Sequence, residues 1–253
     1  MSNNFINEII QGNCLEVMRG IPDASVDMVL CDLPYGTTRN GWDSIILLDE
    51  LWTQYERIIK ERGAIVLTAQ TPFDKVLGAS NLGKLRYEWI WEKNRGTGHL
   101  NAKKIPMKNH ENVLVFYKKL PTYNPQMREG KGYIRPSGDG SRNYNEQMKV
   151  VTENTGGRYP LTVLKFPIVE RTLHPTQKPV ELFEYLIRTY TNEGEIILDN
   201  CIGSGTTAVA AINTGRNFIG IEQEPGYVDI ARRRVDEALA FKNEKESDII
   251  DGK

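Results

Sequence analysis

The chain has 253 residues, 40% of them hydrophobic and 26% charged, with a net charge of −1. That length buries one sizeable core and leaves room for an inserted subdomain. No apolar run reaches the ~20 residues of a membrane span, and the N-terminus lacks a signal-peptide pattern. The three cysteines, Cys14, Cys31 and Cys201, are dispersed and form no Cys-x-x-Cys pair, which argues against a disulfide framework or a zinc site. A soluble protein of a reducing cytoplasm is expected, without a metal.

Phe5 to Ile10 predicts a short strand, Gly12-Asn13-Cys14 a turn, and Leu15 to Met18 a short helical piece. Val26 to Cys31 reads as a buried strand and runs into Asp32-Leu33-Pro34-Tyr35. The following polar loop, Gly36 to Asp43, carries Trp42. Leu47, Leu48, Leu51, Trp52, Tyr55, Ile58 and Ile59 recur at helical spacing, and Gly63 is expected to end that helix. Ala64 to Leu67 is a strand, and Thr71-Pro72 signals a helix start with proline in the first position. Tyr87 to Trp91 and Asn112 to Tyr117 are further strands.

Between Lys118 and Thr172 the periodicity stops, and Gly, Pro, Asn, Tyr and basic residues dominate. A loop-rich segment or a small irregular subdomain is expected there. Pro179 to Tyr190 then marks one face of a helix, and Ile196 to Leu198 a short apolar strand. The loop Asp199-Asn200-Cys201-Ile202-Gly203-Ser204-Gly205-Thr206-Thr207 leads into a helix ending near Asn213. The strand Asn217 to Ile221 carries Glu222 at its end, and a last helix runs from Pro225 to about Phe241. Residues 242–253 are expected to fray. Alternating strands and helices predict an α/β protein, a doubly wound and mostly parallel sheet with helices on both faces.

Charge is distributed unevenly. From Lys84 to Lys178 there are 18 Lys and Arg against 8 Asp and Glu, in a chain that is otherwise acidic. A basic segment interleaved with tyrosines suits a nucleic acid: cations for phosphates, flat rings for bases.

Two sites carry chemistry. At the first, Asp32 is an acceptor when ionised, Pro34 biases Leu33 away from helical geometry and leaves its carbonyl available, and Tyr35 offers a flat face. Two acceptors and a ring suit a planar group bearing an NH2, such as the exocyclic amine of adenine or cytosine. At the second, Gly203 and Gly205 allow a sharp turn close to a ligand, and Glu222 can take both hydroxyls of a ribose. The loop also fits the loose dinucleotide fingerprint. A carboxylate at Asp199, however, repels a pyrophosphate and suits an ammonium group, which favours S-adenosylmethionine over NAD.

Asp32-Leu33-Pro34-Tyr35 resembles the (Asp/Asn/Ser)-Pro-Pro-Tyr motif of amino-methyltransferases acting on N6 of adenine or N4 of cytosine. Leu33 departs from the commonest form at a position where only the carbonyl is expected to act. Asp199 to Thr207 resembles the cofactor loop of these enzymes, and Ile219 to Glu222 their ribose-binding strand. His174-Pro175-Thr176-Gln177-Lys178-Pro179 resembles the motif that holds the methionine end. The order of the pieces is that of the β group of DNA amino-methyltransferases.

The resemblance implies a catalytic set of Asp32, Leu33, Pro34 and Tyr35. It implies a cofactor set of Asn13, Cys14, Asp32, His174, Thr176, Lys178, Asp199, Cys201, Gly203, Ser204, Gly205, Thr206, Thr207, Glu222 and Gln223. Asn13 stands where the family commonly has Asp against the cofactor's adenine, and His110-Glu111-Asn112 matches a block expected to be structural. Residues 1–117 would form the catalytic half, 118–172 the target-recognition insert and 173–241 the cofactor-binding half, followed by the tail.

The implied activity is methyl transfer from S-adenosylmethionine to a base flipped out of duplex DNA, with N6 of adenine favoured. N4 of cytosine, an RNA substrate and a catalytically silent DNA-binding regulator remain alternatives. A second copy of the chain and a restriction endonuclease are the protein partners the resemblance allows, and the sequence decides neither.

Overall fold

A computed structural model of the protein describes residues 5–36, 45–135, 152–170, 172–173 and 177–250. The predicted loop with Trp42 and the residues His174 and Thr176 lie outside them. The chain forms two compact units, one of residues 1–124 with 162–253 and one of residues 125–161.

The larger unit is built on one sheet. In chain order it contains β1 (Glu8–Gln11), α1 (Cys14–Met18), β2 (Val26–Asp32), α2 (Leu48–Ile58), β3 (Ile59–Ala69), α3 (Phe73–Ser80), β4 (Leu85–Thr97) and β5 (Lys108–Phe116). The smaller unit holds β6 (Arg128–Glu129), β7 (Tyr133–Arg135), β8 (Thr152–Asn154) and β9 (Gly157–Arg158). The larger unit resumes with β10 (Val163–Lys165), α4 (Val180–Tyr190), β11 (Ile196–Asp199), α5 (Thr206–Asn213), β12 (Asn217–Glu222) and α6 (Pro225–Ile250). The eight strands lie in the order β1-β12-β11-β2-β3-β5-β4-β10. All pairings are parallel except those of β5 with β3 and β4.

Period-two alternation decides which face each side chain joins. Met28 and Leu30 of β2, Ala64 and Val66 of β3, and Val113 and Val115 of β5 pack with Phe183 of α4, Ala211 of α5 and Ala231 of α6. Val29, Cys31, Ile65, Leu67, Leu114 and Phe116 point the other way, into Met18 of α1, Tyr55 of α2 and Leu77 of α3. The sheet is therefore covered on both faces, α1–α3 on one and α4–α6 on the other. Among the described residues no helix is long and apolar enough to cross a membrane.

Strand order sets the position of the site. The chain leaves β2 toward β3, then returns on the other side through β11 and β12. At such a reversal the loops following adjacent parallel strands diverge and open a crevice. The loops in question begin at Asp32 and Asp199.

Four expectations are corrected. Gly63 does not cap α2, which ends at Ile58; it lies inside β3, where the pairing with β2 jumps from Val26↔Ile59 to Met28↔Ala64. A Cβ on Gly63 would stand 2.8 Å from the Asp27 carbonyl oxygen, so the glycine is needed for close backbone approach in a bulge. Pro72 precedes α3 as its cap residue instead of occupying its first turn. The separate unit is narrower than 118–172: Asn124 is tied to the end of α4 through the Arg188 and Thr191 carbonyls, and β10 pairs with the edge of β4. Finally, α6 continues to Ile250. The extension contains no glycine or proline, and Lys245 lies over the Phe241 ring one turn earlier, 4.4 Å from its centroid.

Among its described residues the smaller unit, expected to be irregular, contains two short antiparallel ladders, β6 with β9 and β7 with β8. Arg158 stacks 4.7 Å from the Tyr133 ring centroid and donates to the Lys131 carbonyl. Ile134 and Tyr159 are exposed.

Because Gly63 serves a close approach, its replacement tests the bulge. Gly63→Ala and Gly63→Asn are each expected to cost about 1–3 kcal/mol in urea unfolding, the usual range for overpacking. A left-handed cap would instead tolerate asparagine, so a neutral Gly63→Asn would contradict the assignment.

Candidate active site

The crevice is a cavity of about 580 Å³ lined from both halves of the larger unit. Asp32, Leu33, Pro34 and Tyr35 line it from the β2 end. Asp199, Cys201, Gly203, Ser204, Thr206 and Thr207 line it from the β11 loop, with Glu222 and Gln223 at the end of β12. Asn13, Cys14 and Lys178 complete the group predicted from sequence. Gly205 stands behind the wall. It has φ +86°, and a Cβ there would lie 3.1 Å from the Cα of Ala231, so it serves the packing of the loop on α6.

At the β2 end the charged side chains hold one another. Oδ1 of Asp32 accepts from the Tyr35 hydroxyl at 2.6 Å and from the Thr68 hydroxyl. Oδ2 of Asp32 accepts from Lys178 Nζ at 2.6 Å. The same ammonium lies 3.3 Å from Oε2 of Glu111, whose Oε1 pairs with Lys93 Nζ at 2.6 Å. Two carboxylates and two ammonium groups thus alternate through a buried chain.

Burial works against the charge of Lys178, but Asp32 and Glu111 overcome it and hold its pKa above the usual lysine value. Burial likewise opposes the charge of Glu111, and Lys178 and Lys93 hold its carboxyl below the usual range. Burial, with Asp32 and Glu111 close by, pushes the Tyr35 phenol well up and keeps it a donor. The Tyr35 ring stacks on Phe73, with centroids 5.5 Å apart.

The β11 side is organised by backbone donors. Oδ1 of Asp199 accepts from the Cys201 N–H at 3.0 Å, and Oδ2 from the Thr207 hydroxyl. Burial outweighs these bonds and raises the Asp199 carboxyl to about 7. Oε2 of Glu222 accepts from the Gly203 N–H and Oε1 from the Glu224 N–H, both at 2.9 Å, and burial again raises its pKa. Asn200 receives the Tyr55 hydroxyl at 2.5 Å. Each carboxylate therefore holds its own loop while keeping lone pairs for a ligand.

Asn13 and the cysteines have local partners as well as places on or beside the cavity wall. The Asn13 side-chain carbonyl caps α1, accepting from the N–H groups of Leu15 at 2.9 Å and Glu16 at 3.4 Å. Its preference for that position is a helix-cap preference. The three cysteines, far apart in sequence, meet here. The Cys201 thiol is hydrogen-bonded with those of Cys14 and Cys31. Its hydrogen bond with Cys14 brings that thiol down to about 7, while burial pushes Cys31 up to about 12.

Thr68, Lys93 and Glu111 were not expected to act at the site. Each is one polar residue on a strand: the parallel β2–β3 pairing sets Thr68 opposite Asp32, and the β3–β5–β4 pairing, with Thr68↔Val113 and Trp91↔Glu111, carries Glu111 and Lys93 toward it. The available signal was the His110-Glu111-Asn112 block, expected to be structural, whose Glu111 stands two residues before the apolar run Val113 to Phe116.

Comparison with known proteins gives a consistent picture. A family model described as DNA methylase, covering N6 and N4 methyltransferases, matches residues 26–233. The DNA adenine methyltransferase YhdJ of Escherichia coli K12 is 30% identical over 268 residues, spanning 96% of this chain and 87% of that protein. The crystal structure of M1.HpyAVI in complex with SAM superposes with a TM-score of 0.62 at 26% identity, covering 90% of this chain and 98% of that one. The cytosine-N4-specific PvuII DNA methyltransferase has a TM-score of 0.67 at 16% identity, over 97% and 93% of the two chains, which shows a shared fold.

The alternating charges give a direct stability test. Lys178→Met leaves Asp32 and Glu111 without their shared cation and is expected to cost about 3–5 kcal/mol in urea unfolding, as breaking a buried pair does. A loss below about 1 kcal/mol would show that the two carboxylates do not depend on it.

Proposed function

The chain belongs to the DNA methylase family of N6 and N4 amino-methyltransferases, and from that premise we propose that it methylates N6 of adenine in duplex DNA. The observation that carries the proposal is the Asp32 carboxylate, fixed on the wall of a cavity whose other wall is the Asp199–Glu222 loop system. Adenine is favoured over cytosine on two grounds. Aspartate at the first motif position goes more often with adenine in the family, and YhdJ is named for adenine.

The donor set fits S-adenosylmethionine. Asp199 offers a carboxylate for an ammonium group, and Glu222 offers one for a ribose diol. Gly203, with φ +52°, allows close backbone approach. When bound, this cofactor supplies an electrophilic methyl group on a sulfonium.

The remaining chemistry belongs to the chain. An exocyclic amine is a poor nucleophile because its lone pair is delocalised into the ring. Asp32 and the Leu33 carbonyl each accept one N–H, which draws the nitrogen toward tetrahedral geometry and aims its lone pair. Oδ2 of Asp32 keeps a second acceptor site beside its bond to Lys178. Positioning of this kind contributes ~7–11 kcal/mol of barrier reduction. Asp32 also stabilises the positive charge that grows on nitrogen. Tyr35 holds the carboxylate through its hydroxyl and offers its ring to the base, which must first leave the helix. The smaller unit, residues 125–161, with Tyr133, Arg135 and Tyr159 exposed, supplies target recognition.

Two outcomes are expected. Labelled methyl from S-adenosylmethionine should appear in mixed-sequence duplex DNA as N6-methyladenine on nucleoside analysis. N4-methylcytosine would correct the base, and label confined to RNA would correct the substrate.

Cofactor affinity should also depend on pH. The Asp199 carboxyl is raised to about 7 by burial, so below that pH it is neutral and cannot pair with an ammonium. Calorimetric affinity is therefore expected to strengthen about tenfold per unit up to about pH 7, then level off until the cofactor's own amine deprotonates near ~8. Asp199→Asn should abolish the slope. A wild-type affinity independent of pH would place the ammonium elsewhere.

A further inference from the structure

The charge asymmetry of the sequence is not exhausted by the smaller unit. Between Asn94 and His110 the chain carries Arg95, Lys103, Lys104 and Lys108 and no Asp or Glu. These residues form the hairpin that joins β4 to β5. It springs directly from the cavity, because Trp91, Lys93 and Thr97 of β4 line the same space as Asp32.

The hairpin is internally braced. Thr97 pairs with Lys108 across its neck, and the Thr97 hydroxyl donates to the Lys108 carbonyl at 3.2 Å. Gly96 packs on Met107, where an added Cβ would lie 3.0 Å from the methionine Cβ. Gly98 turns the chain in the left-handed region at φ +89° and starts a 3₁₀ turn, His99–Asn101. The Lys104 and Ile105 N–H groups both donate to the Asn101 carbonyl, at 2.8 and 3.0 Å.

This braced tip presents Leu100 at 87% exposure, with Ile105 and Met107 also exposed. A large aliphatic side chain held in solvent on an ordered turn, in a segment whose only charged residues are cations, has no folding rationale. Single exposed apolar residues are common, but three on one basic hairpin at a cavity rim call for a partner that is anionic outside and apolar within. Duplex DNA has that character: phosphates on its surface and stacked bases inside.

We propose that the β4–β5 hairpin is a DNA wedge: Leu100 enters the base stack next to the extruded base, and Arg95, Lys103 and Lys104 hold the flanking phosphates, while Lys108 donates to the Thr71 carbonyl at 3.1 Å and ties the neck to the larger unit. Apolar side chains inserted between base steps are a general means of holding an unstacked duplex. The energetic need is clear, since extrusion leaves a gap in the stack that must be filled or paid for. The wedge rests on the proposed methyl transfer to a base of duplex DNA.

The test uses the full chain, mixed-sequence duplex DNA and S-adenosylmethionine with a labelled methyl. Leu100→Ala is expected to lower turnover at saturating duplex at least tenfold, with DNA and cofactor affinities within threefold of wild type. Leu100→Phe, which keeps an apolar wedge, should retain turnover within threefold. Leu100→Lys, which adds a cation without a wedge, should fall as far as Leu100→Ala. Lys103→Ala combined with Lys104→Ala should reduce the slope of log affinity against log salt by about 2.

Turnover of Leu100→Ala within twofold of wild type overturns the wedge, as does Leu100→Lys outperforming Leu100→Phe. A wild-type dimer that Leu100→Ala converts to a monomer in sedimentation also overturns it, because the tip then belongs to a second copy. Wild-type protein that transfers no methyl to DNA defeats the underlying proposal and the wedge together, and that failure is distinguished by appearing in the wild type.

Discussion

The position of one carboxylate, Asp32, constrains most of the larger unit. Its oxygens are held by Tyr35 from the following loop, Thr68 from β3 and Lys178 from the segment before α4. Lys178 is shared with Glu111 of β5, and Glu111 with Lys93 of β4. Charges removed from water are costly unless each has a partner. Four neighbouring strands, β2, β3, β5 and β4, and a distant segment must therefore arrive in register for any of the four charges to be tolerated. The pairing that brings them together also fixes a preorganised acceptor at the cavity wall.

The same constraint accounts for a site divided between two halves of the chain. Asp32 and Asp199 are far apart in sequence but end the adjacent parallel strands β2 and β11. One strand end offers a carboxylate held by side chains, and the other a loop folded around its own carboxylates by backbone donors. The difference suits the tasks proposed for them. A group that must accept an amine gains from rigid, fully engaged neighbours, while a loop that follows a cofactor gains from backbone N–H groups and a glycine at the turn.

Much of this was legible in the sequence where chemistry is local. Asp32-Leu33-Pro34-Tyr35 and Asp199 to Thr207 each place their residues within a few positions, so residue type and spacing were enough. The strands and helices around them followed from periodicity. What was not legible came from pairing at a distance. Thr68, Lys93 and Glu111 carry no pattern of their own: Thr68 meets Asp32 through the β2–β3 register, and Glu111 and Lys93 reach it only through an antiparallel β5 inserted between β3 and β4. Gly63 has the sequence context of a helix end, yet a two-strand register jump uses it. Asn13 lines the cavity and also caps α1, a local preference of its residue type. At Gly63 a local signal was overridden by a contact the sequence does not encode locally.

The most direct measurement is single-turnover methyl transfer to mixed-sequence duplex DNA by wild type and Asp32→Ala, with calorimetric cofactor affinity measured on the same preparations. If Asp32 is the acceptor that orients the target amine, transfer is lost in the variant while cofactor affinity stays within a few-fold of wild type. Near-normal transfer by Asp32→Ala would contradict the account, because the carboxylate around which the site is built would then have no part in the reaction.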